Sequence, residues 1–412
     1  MRKSKLWKKL LGVEHLVFED GDIEAGPGGW EALVFRVRPD HGRRNRCSRC
    51  GRRCRRYDSG EGRRRWRALD AGTMRVYLEA DAPRVACPRH GIVVAAVPWA
   101  RPGSRFTRPF EDQAAWLCAG MTGTKAAQLL RTTWRSMQSI VERVVADLAG
   151  RTDRLAGLER IGIDEISYRK GQRFLMIVVD HDSGRLAWAA AGRNQDTVRA
   201  FFDTLGAERA ARLTEVSADG AEWIHDVIRD RAPQARICLD SYHVVAWAGK
   251  ALDKVRRRLA AGLRDTGTAE LKDTRWAVIK NPEDLTCDQK TTIAVLARLN
   301  SPLYRAYLMK EQLREIFKTG AAGGGKSLLA GLISWCARCR IPEFVTLGRT
   351  LRHFRDLIWN TLETGTTNAR VEATNTHLRA LTKRAYGFHS PGALIAMACL
   401  TRGGLCPPLP GR

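Results

Sequence analysis

The order of segments between Glu159 and Val245 constrains the fold more than any other feature of this chain. Three strand-like stretches come first, "ERIGIDEISY" (Glu159–Tyr168), "RFLMIVVDHDSG" (Arg173–Gly184) and "RLAWAAAGR" (Arg185–Arg193). Tight turns join them, one of them Asp182-Ser183-Gly184. A helical pattern follows in "QDTVRAFFDTLG", stopped by Gly206. Then come a strand "LTEVSADG" (Leu213–Gly220), a helix "AEWIHDVIRDRAP" ended by Pro233, and a strand "ARICLDSYHVV" (Ala235–Val245). Strands joined by tight turns pair antiparallel, and strands reached through a helix pair parallel, so this order predicts one mixed α/β sheet. From Val245 to Glu363 no strand alternation appears. Successive helical patterns such as "VVAWAGKALDKVRRRLA", "AELKDTRWAVIK" and "PLYRAYLMKEQLREIFKTG" predict an all-helical insertion.

The order β-β-β-α-β-α-β is that of the RNase H-like fold. Metal chemistry in such a core needs carboxylates in the middle of the first strand, at the end of the fourth, and on a later helix. The sequence offers one at each place. Asp164 lies in "GIDEIS" on a strand that should be central, where an ionised carboxylate is costly unless it is paired with a cation. Asp219 ends "LTEVSADG" at the carboxyl edge, where open α/β sheets bind ligands. Glu372 sits in the helix "TNARVEATNTHLRALTKRAYGF", with Asn375 and Arg379 at i+3 and i+7. Three such carboxylates can hold two Mg²⁺ or Mn²⁺ ions about 4 Å apart around a scissile phosphate. Taken singly, an Asp at a strand end caps a turn and a helical Glu faces solvent. The joint arrangement favours catalysis.

Towards the amino end, "GRRNRCSRCGRRCRRYDSGEGRRRWR" (Gly42–Arg67) holds twelve Arg against Asp58 and Glu61 alone. Strand-like "EALVFRVRP" (Glu31–Pro39) and "MRVYLEA" (Met74–Ala80) flank it. Cys47-x-x-Cys50 and Cys87-Pro-Arg-His90 each follow one of these strands, as the two knuckles of a zinc ribbon would, giving one structural Zn²⁺ on Cys47, Cys50, Cys87 and His90. Cys54 is an alternative ligand. Phe110 to Gly150 reads as helices broken at "RTTWRS", the outline of a helix-turn-helix that any three-helix bundle shares. The Arg-rich neighbour tips the reading towards DNA, with Arg52, Arg53, Arg55, Arg56, Arg63, Arg64, Arg65, Arg131 and Arg135 as candidate contacts and a recognition helix around Trp134–Val141.

With 70 Lys and Arg against 44 Asp and Glu, a net charge of +26 points to a polyanion, nucleic acid before an anionic membrane surface. The apolar runs are short, and Glu14, Glu19 and Asp20 interrupt the basic start, so neither a membrane span nor a secretion signal is expected. Eleven cysteines without such a signal suit a reducing cytoplasm. "GAAGGGKSLL" fits G-x-x-x-x-G-K-[ST] through Gly320, Gly325, Lys326 and Ser327. What precedes it is an amphipathic helix and not a strand, so Gly320 reads as a helix stop and no ATP is expected. Cys336-x-x-Cys339 lacks a second pair and reads as plain helix residues.

"GIDEISYRKGQRF", "SADGAEWIHDVIRDRAPQARICLDSYHVV", "YLMKEQLREIF" and "TNARVEATNTHLRALTKRAYGF" resemble successive blocks of the DDE transposases of the ISL-three family of bacterial insertion sequences. The ribbon and helix-turn-helix have counterparts there too, so the likeness covers nearly the whole chain. It implies Asp164, Asp219 and Glu372 as the catalytic triad, and supporting roles for Asp240 and His243 of "DSYHVV" and for Asn375, Arg379, Lys383 and Arg384. Asn368 and Gly387 also match the family pattern around the Glu. The chain departs from that pattern at Ala369, where Gly is common, and at Ser241-Tyr242. The implied organisation is a zinc-ribbon domain over 1–105, a helix-turn-helix domain over 106–152, an RNase H-like core over 153–245 and 365–412, and the helical insertion over 246–364. The implied activity is binding of terminal inverted repeats in double-stranded DNA, strand cleavage and strand transfer. A homodimer or larger assembly would synapse two ends in the cytoplasm. A nuclease with the same core that does not join strands, and a DNA-binding regulator that has lost catalysis, are the alternatives.

Overall fold

A computed structural model describes residues 3–25, 30–169, 171, 173–264, 274–298 and 302–410. It divides into two compact bodies, Met1–Arg154 with Ala380–Arg412, and Leu155–Arg379.

The first body begins with α1 (Lys3–Leu11), β1 (Leu16–Ala25) and β2 (Glu31–Pro39), followed by β3 (Arg55–Asp58), β4 (Arg63–Arg67), β5 (Arg75–Asp81), β6 (Arg84–Cys87) and β7 (Gly91–Val94). They form two sheets, of order β1-β2-β5-β4 and β3-β6-β7. Period-two alternation in β2 and β5 aims Phe35, Val37, Val76 and Leu78 into a core closed by Leu11, Trp66 and Trp99. Helices α2 (Arg108–Gly120), α3 (Gly123–Leu129) and α4 (Trp134–Ala149) follow. The Thr122 and Thr133 hydroxyls cap α3 and α4 by accepting the backbone N–H groups of Lys125 and Ser136. A buried charge cluster ties this helical part together. The Arg101 guanidinium donates to Glu111, Asp112 and Asp147 at 3.2, 2.7 and 2.9 Å, and Arg143 donates to Glu111 at 2.8 Å.

The second body is built on β8 (Arg160–Arg169), β9 (Arg173–Asp180), β10 (Leu186–Ala191), α5 (Gln195–Leu205), α6 (Ala207–Ala210), β11 (Glu215–Ala218), α7 (Glu222–Arg231) and β12 (Arg236–Leu239). The sheet order is β10-β9-β8-β11-β12, with β8, β9 and β10 antiparallel and β11 parallel to both β8 and β12. The seven segments expected from the sequence therefore all form, in the expected sense. On one face Ile161, Ile163, Val216 and Ala218 meet Val198, Phe201 and Ile224 of α5 and α7.

The last strand is shorter than its pattern predicts. It ends at Leu239, and "SYHVV" opens a helix because Asp240 caps it. The Asp240 carboxylate accepts the Tyr242 N–H at 3.2 Å and its carbonyl accepts the Val244 N–H at 3.1 Å. The β-branched Val244 and Val245 are overridden by that cap. The helix is α8 (Ser241–Arg264), followed by α9 (Arg275–Ile279), α10 (Cys287–Arg298), α11 (Pro302–Thr319), α12 (Gly325–Arg338), α13 (Pro342–His353) and α14 (Arg355–Thr364). Residues 269–273 of the helix read from "AELKDTRWAVIK" lie outside the described residues. Gly320 takes φ +61° after α11, the helix stop that its position predicts, and Lys326 pairs with Glu363 and lies over the Trp359 ring. Cys336 and Cys339 are buried.

Helix α15 (Ala369–Arg384) carries the chain out of this second body, and α16 (Pro391–Arg402) packs on α2 and α4. The segment 365–412, expected to complete the core as one piece, is thus divided at Ala380. The apolar face of α16, with Leu394, Ala398 and Leu400 buried, is what draws its end to the helices of the first body.

Candidate active site and metal centres

Parallel pairing of Ser217 with Gly162 sets Asp164, midway along β8, level with Asp219, the first residue past β11, so the two lie side by side where β11 ends. Asp164 is half-buried. Its Oδ1 accepts the Glu165 N–H and its Oδ2 the Asn375 amide from α15, both at 2.7 Å. Burial pushes its carboxyl pKa upward, against those hydrogen bonds, and the neighbouring charge of Asp219 pushes it further. Asp219 is held through both its side chain and its backbone. Oδ1 accepts the Ala221 N–H at 3.0 Å, and the buried His225 donates from Nε2 to the Asp219 carbonyl at 2.7 Å. Burial lowers the pKa of His225, so it acts as a neutral donor.

His243, one turn into α8, donates from Nδ1 to the buried Asp240 carboxylate at 2.6 Å, which leaves Nε2 clear. Asp240 raises the imidazole's pKa, and the charges of Asp219 and Asp164 add to that. The structure therefore gathers Asp164, Asp219, His243 and Asn375. Glu372 lies exposed in the first turn of α15, three residues before Asn375. The stripe of α15 that packs inward is Val371, Thr374, Asn375, Leu378 and Leu381, while Glu372, Arg379 and Lys383 flank it and are exposed. Arg384, expected to support the site, is engaged elsewhere. It donates to the Cys118 and Ala119 carbonyls at 3.2 and 3.4 Å, closing the carboxyl end of α2.

Two features of this site escape a reading by motif. Beneath α15, His181 Nε2 lies 2.7 Å from the Ser217 hydroxyl, which donates to the Asn368 side-chain carbonyl at 2.5 Å. The Asn368 backbone carbonyl in turn accepts the Glu372 N–H at 2.8 Å. Ser217 sits two residues before Asp219 and so on its face of the strand, the one signal the sequence held. Glu165, opposite in face to Asp164, pairs with Arg193 and is 8% exposed. Burial, then the charges of Asp219 and Asp164, push its pKa up to about 6 against the pull of Arg193.

The carboxylate set suits a hard divalent cation. Oxygen donors from two aspartates converge at the sheet edge, and two buried oxygens beside them, Asn375 Oδ1 and Glu165 Oε1, have no hydrogen-bond partner. For zinc the test is metric. Cys47, Cys50, Cys87 and His90 offer ligand atoms within 4.8 Å of one another, with Cys50 and Cys87 sulfurs 3.8 Å apart and His90 Nδ1 3.6 Å from the Cys47 and Cys87 sulfurs. A tetrahedron with Zn–S about 2.3 Å and Zn–N about 2.05 Å has edges of about 3.8 and 3.6 Å. The four residues match it. Cys54 lies outside this quartet, its thiol donating to the Arg52 carbonyl at 3.3 Å.

The cationic surface is narrower than the arginine count implies. Arg63 and Arg65 pair with Glu79, Arg64 with Glu61 and Arg131 with Asp70. Arg52, Arg53 and Arg55 are exposed with no acidic partner among the described residues, and Arg135 is exposed beside the Trp134 ring. No described helix is long and apolar enough to cross a membrane.

Three family profiles match the chain. One described as a transposase covers residues 161–398, one described as the helix-turn-helix domain of transposase family ISL3 covers 95–145, and one described as the zinc-finger of transposase IS204/IS1001/IS1096/IS1165 covers 43–90. The transposase for insertion sequence element IS1557 of Mycobacterium tuberculosis, in strains CDC 1551 and H37Rv, is 48% identical over 437 aligned positions, covering 100% of this chain and 98% of that protein. The transposase for element IS1001 of Bordetella parapertussis is 25% identical over 346 positions, 83% of this chain and 85% of its own length.

Proposed function

Because the chain belongs to the DDE transposases of family ISL3, enzymes of DNA transposition, we propose that Asp164, Asp219 and Glu372 form its catalytic triad on an RNase H-like core. The observation that carries this reading is the half-buried Asp164, set beside Asp219 at one sheet edge and bonded to Asn375 on the helix that bears Glu372. The three carboxylates would hold two Mg²⁺ or Mn²⁺ ions, which supply activation of the attacking oxygen and stabilisation of the leaving one at the scissile phosphate.

The chain's own groups prepare that site. Asn375 fixes the orientation of Asp164, His225 fixes the backbone of Asp219, and Ser217 holds Asn368 at the start of α15. Asp240 fixes the ring of His243 near Asp219 and Asp164. Arg379 and Lys383, exposed further along α15, would meet DNA phosphates. The zinc ribbon, the unpaired Arg52, Arg53 and Arg55, and Arg135 at the start of α4 would bind the terminal inverted repeats. Hydrolysis at the element end then frees a 3′-hydroxyl, which attacks target DNA in line at the same carboxylates. Synapsis of two ends calls for a homodimer or larger assembly on DNA in the cytoplasm.

The test is cleavage of a labelled duplex carrying the element's own end, with Mg²⁺ or Mn²⁺, by wild type and Glu372→Gln. Wild type should nick the 3′ boundary of the repeat. The variant should bind equally but cut at least about a thousandfold more slowly, about 4 kcal/mol of transition-state stabilisation. Equal cutting by both proteins would refute the role of Glu372, and binding without cutting by both would favour the regulator.

A further inference from the structure

Helix α8 runs away from the catalytic edge, and what it carries outward is ordered. Its first turn holds Tyr242 and His243. One turn later Trp247 lies against Gly220, the residue after Asp219, so closely that a Cβ at Gly220 would stand 2.6 Å from Trp247 Cζ2. Beyond Trp247, Lys250, Lys254 and Arg258 recur at i, i+4 and i+8 and share one face. That face and α13 are the two walls of an open groove of about 430 Å³, with Pro342, Thr346 and Thr350 opposite the cations.

The charges in the groove are unequal. Arg258 is committed, its Nε and Nη2 donating to the two Glu343 oxygens at 2.7 and 3.0 Å, which pins α8 to α13. Lys250 and Lys254 are exposed and have no ion-pair partner among the described residues. Asp253, the acid between them, pairs with Arg256 and Arg257 instead. A rise of about 1.5 Å per residue sets successive cations about 6 Å apart along the wall. One DNA strand carries a phosphate about every 3.4 Å of axis, so the wall spans roughly three or four phosphates.

We propose that the α8–α13 groove is a track for the phosphodiester backbone of the DNA engaged at Asp164 and Asp219, with Lys250 and Lys254 as its contacts. This rests on the catalytic reading above in taking DNA as the occupant of that edge. The backbone can belong to the element end with its flank or to target DNA, and the groove reads only the phosphate chemistry the two share.

The experiment uses the full chain, with Lys250→Gln/Lys254→Gln as the variant and Lys290→Gln/Arg298→Gln, exposed on α10 outside the groove, as the control. Affinity for labelled end duplex and for an unrelated duplex is measured by fluorescence anisotropy across a KCl series. The groove variant should lose about two from the slope of log K against log [salt], and roughly ten- to thirtyfold in affinity near 0.15 M salt, for the duplex that occupies the groove. Loss on end duplex together with slower cleavage assigns the groove to the element end and flank. Loss on unrelated duplex, with cleavage intact and strand transfer into plasmid reduced, assigns it to target DNA. A slope, cleavage and transfer equal to wild type, or an equal loss in the control, overturns the proposal. If wild type binds but does not cut, the catalytic reading falls while the slope still reports on the groove.

Discussion

Gly162 leaves no room for a side chain between the sheet and the glutamate-bearing helix, and Gly162→Ala tests whether that approach sets the site. A Cβ there would lie 2.3 Å from Val371 Cγ2 and 2.9 Å from His181 Nε2. Carbon atoms rest at about 3.5–4.0 Å, so Val371 would have to retreat by more than about 1 Å. Neither neighbour yields easily. Val371 is β-branched and fully buried on α15, and His181 is held by Ser217. Overpacking of this kind costs about 1–3 kcal/mol, from which about 0.5–1 kcal/mol is recovered because alanine loses less backbone entropy than glycine. The net loss of stability lies between about 0 and 2.5 kcal/mol. The catalytic loss should be larger, since a shift of about 1 Å in the reacting groups can cost about a hundredfold in rate. Thermal unfolding and single-turnover cleavage on Gly162→Ala, Val371→Ala and the double variant close a cycle. The double variant should regain most of the cleavage rate, because Val371→Ala removes the methyl that the new Cβ meets. Wild-type rate and melting temperature in Gly162→Ala, or additive losses in the double variant, would refute the close-packing argument.

Three further outcomes follow from other parts of the structure. Purified protein should contain one zinc per chain by atomic absorption, lost with end binding in Cys50→Ser and kept in Cys54→Ser; retention in the first or loss in the second would contradict the quartet. Arg101→Met should lower stability by about 1–3 kcal/mol in denaturant unfolding, because it strips one ion partner from the fully buried Glu111 while Arg143 keeps the other, and a change under about 0.5 kcal/mol would count against the buried cluster. Ser217→Ala should slow cleavage about tenfold with end binding unchanged, through loss of the Asn368 anchor, and an unchanged cleavage rate would show that α15 needs no such anchor.

The sheet was legible because its signals are local. The unbroken apolar run Phe174–Val179, a Gly-closed turn at Asp182–Gly184 and helix stops at Gly206 and Pro233 each act over a few residues, and the strands form where they say. The end of the last strand was not, because one carboxylate decides it: Asp240 caps α8 and turns a β-branched run into helix. The zinc quartet was legible from spacing alone. The cationic surface was not, since Glu79, which pairs with both Arg63 and Arg65, sits on a neighbouring strand. Arg384 likewise found a partner in the backbone of α2 that no sequence pattern announces.

The site itself divides along the same line. Asp164 and Asp219 sit on or just past paired strands, so the sheet fixes their separation before anything binds, and burial makes Asp164 costly to keep charged. Glu372 has no such frame. Its carboxylate is exposed, and what positions it is the helix, held by two side-chain bonds that bracket it: Asn368 to Ser217 in front and Asn375 to Asp164 behind. Seven residues separate the two anchors, about two helical turns, so both fall near the inward stripe and together fix the rotation of α15 about its axis. With that rotation set, Glu372 has only its own rotamers left to search, a loss of freedom of about 1.5–2 kcal/mol that falls due on cation binding and not on folding. The third carboxylate is therefore the one whose position depends most on its neighbours' hydrogen bonds. Variants at Asn368 and Ser217 should act on the reaction through Glu372, although neither side chain belongs to the triad.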